Sequence, residues 1–409
     1  MNKSIHTVIQ FLFVLLSIAI PTSVAITNLL IAAIILFWFL EGRFKEKIKE
    51  LVLLKWPIYL FLLVFFYILG LLWGDNHNHA AWVFQRIALI LVLPFFVTLP
   101  ITNKTIKRSV LAFLITLFIS SLLAIAINNN IINPLSYYFS FINNREVNSA
   151  FLQYNYHNIL LSFGFLLCLY VVIEKQSSNI ILFLLFILVY ILSIYTELGR
   201  AGQVLVFFVS IFYILYYNLK HPKKLIKYLF LFLCSQLLFY NYSSVYKERV
   251  DNTLYKLKNK GFNTSNNNYQ DIRFVMLEKS IKKIKNKPIL GYGTGSFKTI
   301  YDKEIRRKNF NEEGVLNDII TDDWKYDHMT PHNNYLFIAF ELGIIGLYIF
   351  LAIFYHKIKS LRSHKHGIHK ILLPISYMLL MFIDAYFFIF TITASYIYLL
   401  TIYIKFKPD

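Results

Sequence analysis

Residues 330–355 read TPHNNYLFIAFELGIIGLYIFLAIFY. A polar start turns into an apolar run long enough, at about 20 residues, to cross a bilayer as a helix. Runs of this kind recur along the chain. Twelve spans are expected, at about 5–20, 24–40, 56–73, 83–100, 109–127, 152–173, 180–196, 201–217, 227–241, 334–355, 371–387 and 389–404. Of the 409 residues 57% are hydrophobic and only 15% charged, against roughly 25% in a soluble domain. The expected fold class is an all-α polytopic membrane protein with about 12 transmembrane helices.

Charge sets the expected orientation. The net charge of +19 could suit nucleic acid, but most basic residues flank the apolar runs, so no nucleic-acid partner is expected and membrane lipids are. Arg43, Lys45, Lys47, Lys49 and Lys55 fill the short loop after the second span. Lys104, Lys107 and Arg108 follow the fourth, Lys220, Lys223, Lys224 and Lys227 the eighth, and Lys357, Lys359, Arg362, Lys365 and Lys370 the tenth. The opposite short loops hold almost no lysine, which places both termini in the cytoplasm. Residues 1–25 mimic a signal peptide, yet a second apolar run follows at once, so two retained spans are expected. No internal repeat is visible, which argues against an inverted-repeat transporter. Three parts follow: 1–241 with spans 1–9, an external loop domain at 242–333 carrying part of the site, and 334–409 with spans 10–12.

The external loop is Asn-rich at 263–268 and patterned beyond it. Asp271 is a candidate cap for a helix at 272–287, which Pro288 ends. Ile272, Met276, Ile281 and Ile284 share one face, and Lys279, Lys282, Lys283, Lys285 and Lys287 make the rest basic, as in an interfacial helix. Arg273 lies in its first turn. Next come Gly291, Gly293 and Gly295 at alternate positions, a turn whose N–H groups could cradle an anion. Thr330 and Pro331 are expected to start the tenth helix, which puts His332 in its first turn, beside the positive end of the dipole. A neutral imidazole there can accept a proton. Glu341 is read as a structural or tuning residue, and Gly343 and Gly346 as sites of close approach by a neighbouring helix.

His77 and His79 fall on a short external turn and read as solvated, His364, His366 and His369 in a basic cytoplasmic loop, and His157 near the outer end of span 6. Arg200, in the Glu197–Arg200 turn, and Arg86, opening span 4, share the outer face with Arg273 and His332. Guanidinium groups fork onto phosphate oxygens, so these suit an anionic headgroup with a reacting hydroxyl nearby. No cluster has credible metal spacing. Asp322, Asp323, Asp327 and His328 read as solvated, and Cys168 and Cys234 form no disulfide framework.

The chain resembles the O-antigen ligase and O-antigen polymerase superfamily of bacterial inner membranes. The resemblance rests on His332-Asn333-Asn334-Tyr335-Leu336 followed by Glu341-Leu342-Gly343 and Gly346, on Arg273 through Pro288-Ile289-Leu290-Gly291-Tyr292-Gly293 with Tyr301 beyond, and on Leu198-Gly199-Arg200-Ala201-Gly202. Gly199 stands where the family usually has Ser or Thr. The resemblance implies a GT-C-like membrane glycosyltransferase with a large, partly helical periplasmic loop between helices 9 and 10. It implies transfer of a glycan from an undecaprenyl-pyrophosphate carrier to lipid A–core oligosaccharide, at the periplasmic face, with inversion and with neither metal nor other cofactor. His332 would be the base, and Arg200, Arg273 and Arg86 would hold the donor pyrophosphate. Gly291, Gly293, Asn333, Tyr335 and Glu341 would support them. An O-antigen polymerase is the nearest alternative. A lipid-linked-oligosaccharide flippase is the alternative of a different class, but it should line a midplane path with polar residues.

Overall fold

Peptide groups in lipid have to be satisfied within the chain, and a helix does this inside one segment. In the computed structural model, which describes residues 2–133, 150–258, 272–301, 329–364 and 366–406, every regular element is helical. In chain order the α-helices are α1 (Asn2–Thr22), α2 (Val24–Glu41), α3 (Phe44–Leu54), α4 (Trp56–Gly70), α5 (His77–Ile90), α6 (Val92–Val97), α7 (Asn103–Asn128) and α8 (Tyr154–Ile173). They continue as α9 (Ile180–Thr196), α10 (Arg200–Asn218), α11 (Pro222–Tyr242), α12 (Ser244–Lys258), α13 (Ile272–Asn286), α14 (Asn334–Arg362), α15 (Gly367–Ile383) and α16 (Phe390–Lys405). A 3₁₀ turn, Tyr386–Phe388, separates the last two. The Asn-rich stretch, Asp271, Asp322, Asp323, Asp327, His328 and Lys365 lie outside the described residues.

Among those residues eight segments are long and apolar enough to cross a membrane, with α5 and α6 counted together. The α3–α4 pair makes a ninth if taken as one span, bent by 91°, and α9, α15 and α16 are apolar but shorter. The chain is thus all-helical and multi-pass by composition.

Two expected basic loops are helical instead. Residues 44–54 form α3, on which Phe44, Ile48 and Val52 recur every fourth position and are exposed, with Lys45 and Lys49 beside them. That pattern fits a helix lying in the interface. The apolar run of the tenth span ends before its helix does, because backbone hydrogen bonding carries α14 on to Arg362. Lys357 is therefore buried, its Nζ 4.9 Å from the Trp56 ring and 5.1 Å from Phe354, and the apolar stem packs as long cationic side chains do. Lys370 is buried as well and donates to the Phe406 carbonyl at 3.0 Å.

Helix α8 is apolar on nearly every side, and such a helix has to sit inside. It packs against α7, α9 and α10 and touches α15 and α16. Helix α14 packs against α4, α13 and α15, and this second buried helix carries the candidate site.

Candidate active site

The start of α14 differs from the expectation. Asn333 caps the helix, its side chain accepting the Leu336 N–H at 3.0 Å, and Asn334 is the first helical residue. Asn is among the best cap residues, and it takes the role expected of Thr330. His332 therefore precedes the helix, outside its first turn, in the left-handed region at φ 52°. That conformation is costly for a residue with a Cβ and persists where surrounding contacts over-determine it.

Those contacts are visible. Four consecutive side chains fasten the start of α14 to the last turns of α15 and the junction that follows it. His332 Nδ1 lies 3.0 Å from Asp384 Oδ1, and Asn333 donates to the Phe382 carbonyl at 3.0 Å. Asn334 accepts the Phe387 N–H at 3.1 Å, and Tyr335 donates to the Met378 carbonyl at 2.8 Å. The junction exists because α15 stops at Ile383 and the chain turns before α16, leaving peptide groups for these amides to satisfy.

Asp384 is the site residue that the sequence reading missed. Its carboxylate also accepts the Ala385 N–H at 2.6 Å and pairs with Arg273 at 3.6 Å. Burial by itself raises its pKa. The hydrogen bond and charge of His332, the Ala385 N–H and Arg273 outweigh burial and hold the carboxyl below its ordinary value. An ionised carboxylate only accepts, so Nδ1 of His332 carries the hydrogen in this contact.

His332 and Asp384 line a cleft of ≈350 Å³ together with Arg86, Trp82 and Tyr156. The Arg86 guanidinium lies 5.5 Å over the Trp82 ring, and its Nε is buried with no partner among the described residues. Arg273 is half exposed and joins the cleft through Asp384. Arg200 does not line the cleft: it opens α10 and reaches Thr253 Oγ1 on α12 at 3.5 Å. The structure thus brings His332, Arg86 and Arg273 around Asp384 and leaves Arg200 on a neighbouring contact.

The glycine-rich turn serves a purpose different from the expected one. It is buried against a break in α14, where Gly343 has φ 64° and ψ −164°. The N–H groups of Tyr292 and Gly293 donate to the Phe340 and Glu341 carbonyls at 2.9 and 2.8 Å, and Ile344 N–H donates to Pro288 at 2.8 Å. A Cβ on Gly343 would lie 2.1 Å from the Ile289 carbonyl oxygen, so a loop, not a neighbouring helix, makes the close approach there. On Gly291, also at positive φ, a Cβ would lie 2.5 Å from the Glu341 carbonyl oxygen. The carboxylate of Glu341, fully buried, accepts the Gly295 N–H at 3.0 Å. The turn therefore supplies an N–H to a buried carboxyl group of its own chain, because a buried polar group has to find a partner. Tyr301 closes the turn by stacking on Phe297, ring centres 5.4 Å apart.

Two histidines also depart from their expected settings, and His157 keeps its expected place near the end of its span. His79 is buried in α5, with Nδ1 3.1 Å from the Gly295 carbonyl. His369 is buried at the start of α15, bonded to Tyr213 at 2.7 Å and ion-paired with Glu174. His157 is fully buried between Ser120 Oγ and Glu197 Oε1, each at 2.9 Å. Helix packing supplies these partners, which loop-by-loop reading cannot see.

Residues 163–351, just under half of the chain, match the sequence profile described as O-antigen ligase. The match covers Arg200, Arg273, His332 and the Gly343 break, and leaves out Arg86 and Asp384. A protein provisionally named polysaccharide ligase in Rickettsia felis is 41% identical over 83 residues, and one in Rickettsia conorii is 40% identical over 81. Each stretch covers 20% of this chain and 18% of the relative. The resemblance read from the sequence is matched over this region: residues 163–351 are similar to the O-antigen ligase family.

Proposed function

We propose that this chain is an O-antigen ligase-type glycosyltransferase of the bacterial inner membrane. It moves a glycan from undecaprenyl pyrophosphate to lipid A–core oligosaccharide at the periplasmic face. The observation that carries this reading is the His332–Asp384 pair, set with Arg86 in one cleft of a multi-pass chain. A base oriented by a carboxylate beside a guanidinium with an unpartnered N–H is what such a transfer needs.

In the proposed step the acceptor hydroxyl gives its proton to His332 Nε2 as its oxygen attacks the anomeric carbon. The bond from that carbon to the pyrophosphate oxygen breaks, and the carrier pyrophosphate leaves with the electron pair. Attack opposite the leaving group inverts the centre. Asp384 fixes the ring and steadies the imidazolium, while Arg86 and Arg273 balance the growing charge. Arg200 acts at the rim. Asn333, Tyr335, Glu341, Gly291 and Gly293 hold the frame. The proposed chemistry needs no metal, so transfer should persist in excess EDTA; loss restored by added metal would refute that part.

In this reading the eight longer segments, the bent pair and the three shorter helices all cross, giving twelve spans with both termini cytoplasmic. The loop at 242–333 is periplasmic. A deletion strain tests the function. A missing ligase leaves bare lipid A–core while polymeric lipid-linked glycan accumulates. Core capped with one repeat unit would instead indicate a polymerase, and donor trapped on the cytoplasmic leaflet a flippase.

A further inference from the structure

A second cavity, ≈460 Å³, opens where the end of α7, the α9–α10 turn and the start of α12 meet. It lies beside the reaction cleft. Tyr156 lines the cleft, and the next residue, His157, bonds Glu197, whose neighbours Thr196 and Leu198 line the cavity. Arg200, two residues after Leu198 of the cavity wall, reaches Thr253 on α12, the helix whose first residue Ser244 also lines the cavity.

The chemistry of the wall is distinctive. None of its described residues is charged, in a chain of net charge +19. It presents amides and hydroxyls: Asn128, Asn130, Asn133, Thr196, Ser244 and the phenol of Tyr242. The Asn128 Nδ2 group is buried with no partner among the described residues. Tyr242 is 87% exposed, leaving its ring open to a neighbour. A phosphate would ask for guanidinium or ammonium groups, and none is among the described residues of this wall. An acyl chain would leave the amides unpaired at a cost. Neutral groups that both donate and accept, beside one aromatic ring, match a hydroxyl-rich, uncharged sugar.

We infer that this cavity is a glycan subsite, holding neutral sugar residues that lie beyond the reacting one. The inference rests on the glycan-transfer reading for its purpose and on the wall chemistry for its ligand. The donor glycan and the acceptor oligosaccharide share that chemistry.

The test places a photo-crosslinking amino acid at Ser244 or Asn133, both exposed, in the full chain in native membranes, with Leu72 as an exposed apolar control. Irradiation should give adducts that stain for carbohydrate after lipid extraction from the first two positions and not from Leu72. No adduct, or only phospholipid adducts shared with Leu72, would overturn the inference. Membranes lacking the lipid-linked glycan, or carrying a truncated core, identify the source by which of them loses the adduct. Crosslinking needs no turnover. A carbohydrate adduct on a chain that transfers nothing would keep the subsite and sink the transfer reading, and transfer without an adduct would do the reverse. Ser244→Trp should raise KM about tenfold for the multi-sugar substrate, donor or acceptor, that the adduct identifies, the loss of one or two hydrogen bonds. KM for a single-sugar version of that substrate should change far less, and equal changes for both versions would count against the subsite.

Discussion

Two histidine–carboxylate pairs sit near each other in this molecule, with nearly equal geometry and opposite surroundings. His332 and Asp384 are 3.0 Å apart, with side chains 28% and 20% exposed, on the wall of a cleft. His157 and Glu197 are 2.9 Å apart and fully buried, with the second imidazole nitrogen already committed to Ser120. Ser193 also donates to Glu197 at 2.7 Å. The difference lies in the surroundings and not in the pair: one lines a cleft and the other is enclosed. The proposed assignment of the base to His332 rests on that difference. The second pair ties α7, α8 and α9 together and fixes the turn that presents Arg200.

The comparison can be broken in order of expected effect. His332→Ala should lower transfer by about 10²–10⁴-fold, the range of general-base catalysis, with unchanged membrane level. Near-normal transfer in a vesicle assay with lipid-linked glycan would remove His332 from the chemistry. Arg273→Lys should cost roughly tenfold or more, because an ammonium cannot reproduce a guanidinium fork. Equal rates would mean that only the charge matters. His157→Ala should act on the fold instead, since it leaves Glu197 buried with Ser193 as its one remaining side-chain donor among the described residues, a loss of about 1–3 kcal/mol. Thermal stability in detergent should fall clearly, while transfer per folded molecule falls far less than for His332→Ala. The reverse pattern would make the buried pair the catalytic one.

The smallest effect is on pH. Asp384 titrates below its ordinary 3.8 in the folded chain, so its pairing contributes fully above that value. The contribution is lost as pH falls from about 3.8 through the lower folded value. The difference in Tm between the native chain and Asp384→Asn should therefore hold from pH 7 to about pH 4 and shrink below. A difference that stays constant down to pH 2.5 would show that the carboxylate charge adds nothing.

Much of this architecture was legible in the order of residues. Apolar runs and basic flanks gave the helical, multi-pass class, and the 272–287 pattern matches α13 to within a residue at its end. His332 and Arg86 were readable as site candidates because they stand where apolar runs begin. Asp384 could have been found as well. It is an acidic residue within the apolar stretch 371–387, and a charge there is a functional candidate by default. The cap at Asn333 was harder, since Thr330, Pro331 and Asn333 all carry start signals and only tertiary bonds decide among them. The embrace of Gly343 by the loop at 288–295 joins residues far apart in sequence, and no local pattern reports it. The buried histidines belong to the same class of information.

The central claim is that His332 and Asp384 work as one unit in the open cleft. A double-mutant cycle on transfer, with His332→Ala, Asp384→Asn and both together, tests it most directly. Residues that act as a unit are strongly non-additive. The account predicts that Asp384→Asn lowers transfer on its own and that the double variant is no slower than His332→Ala. Losses that multiply in the double variant would contradict it.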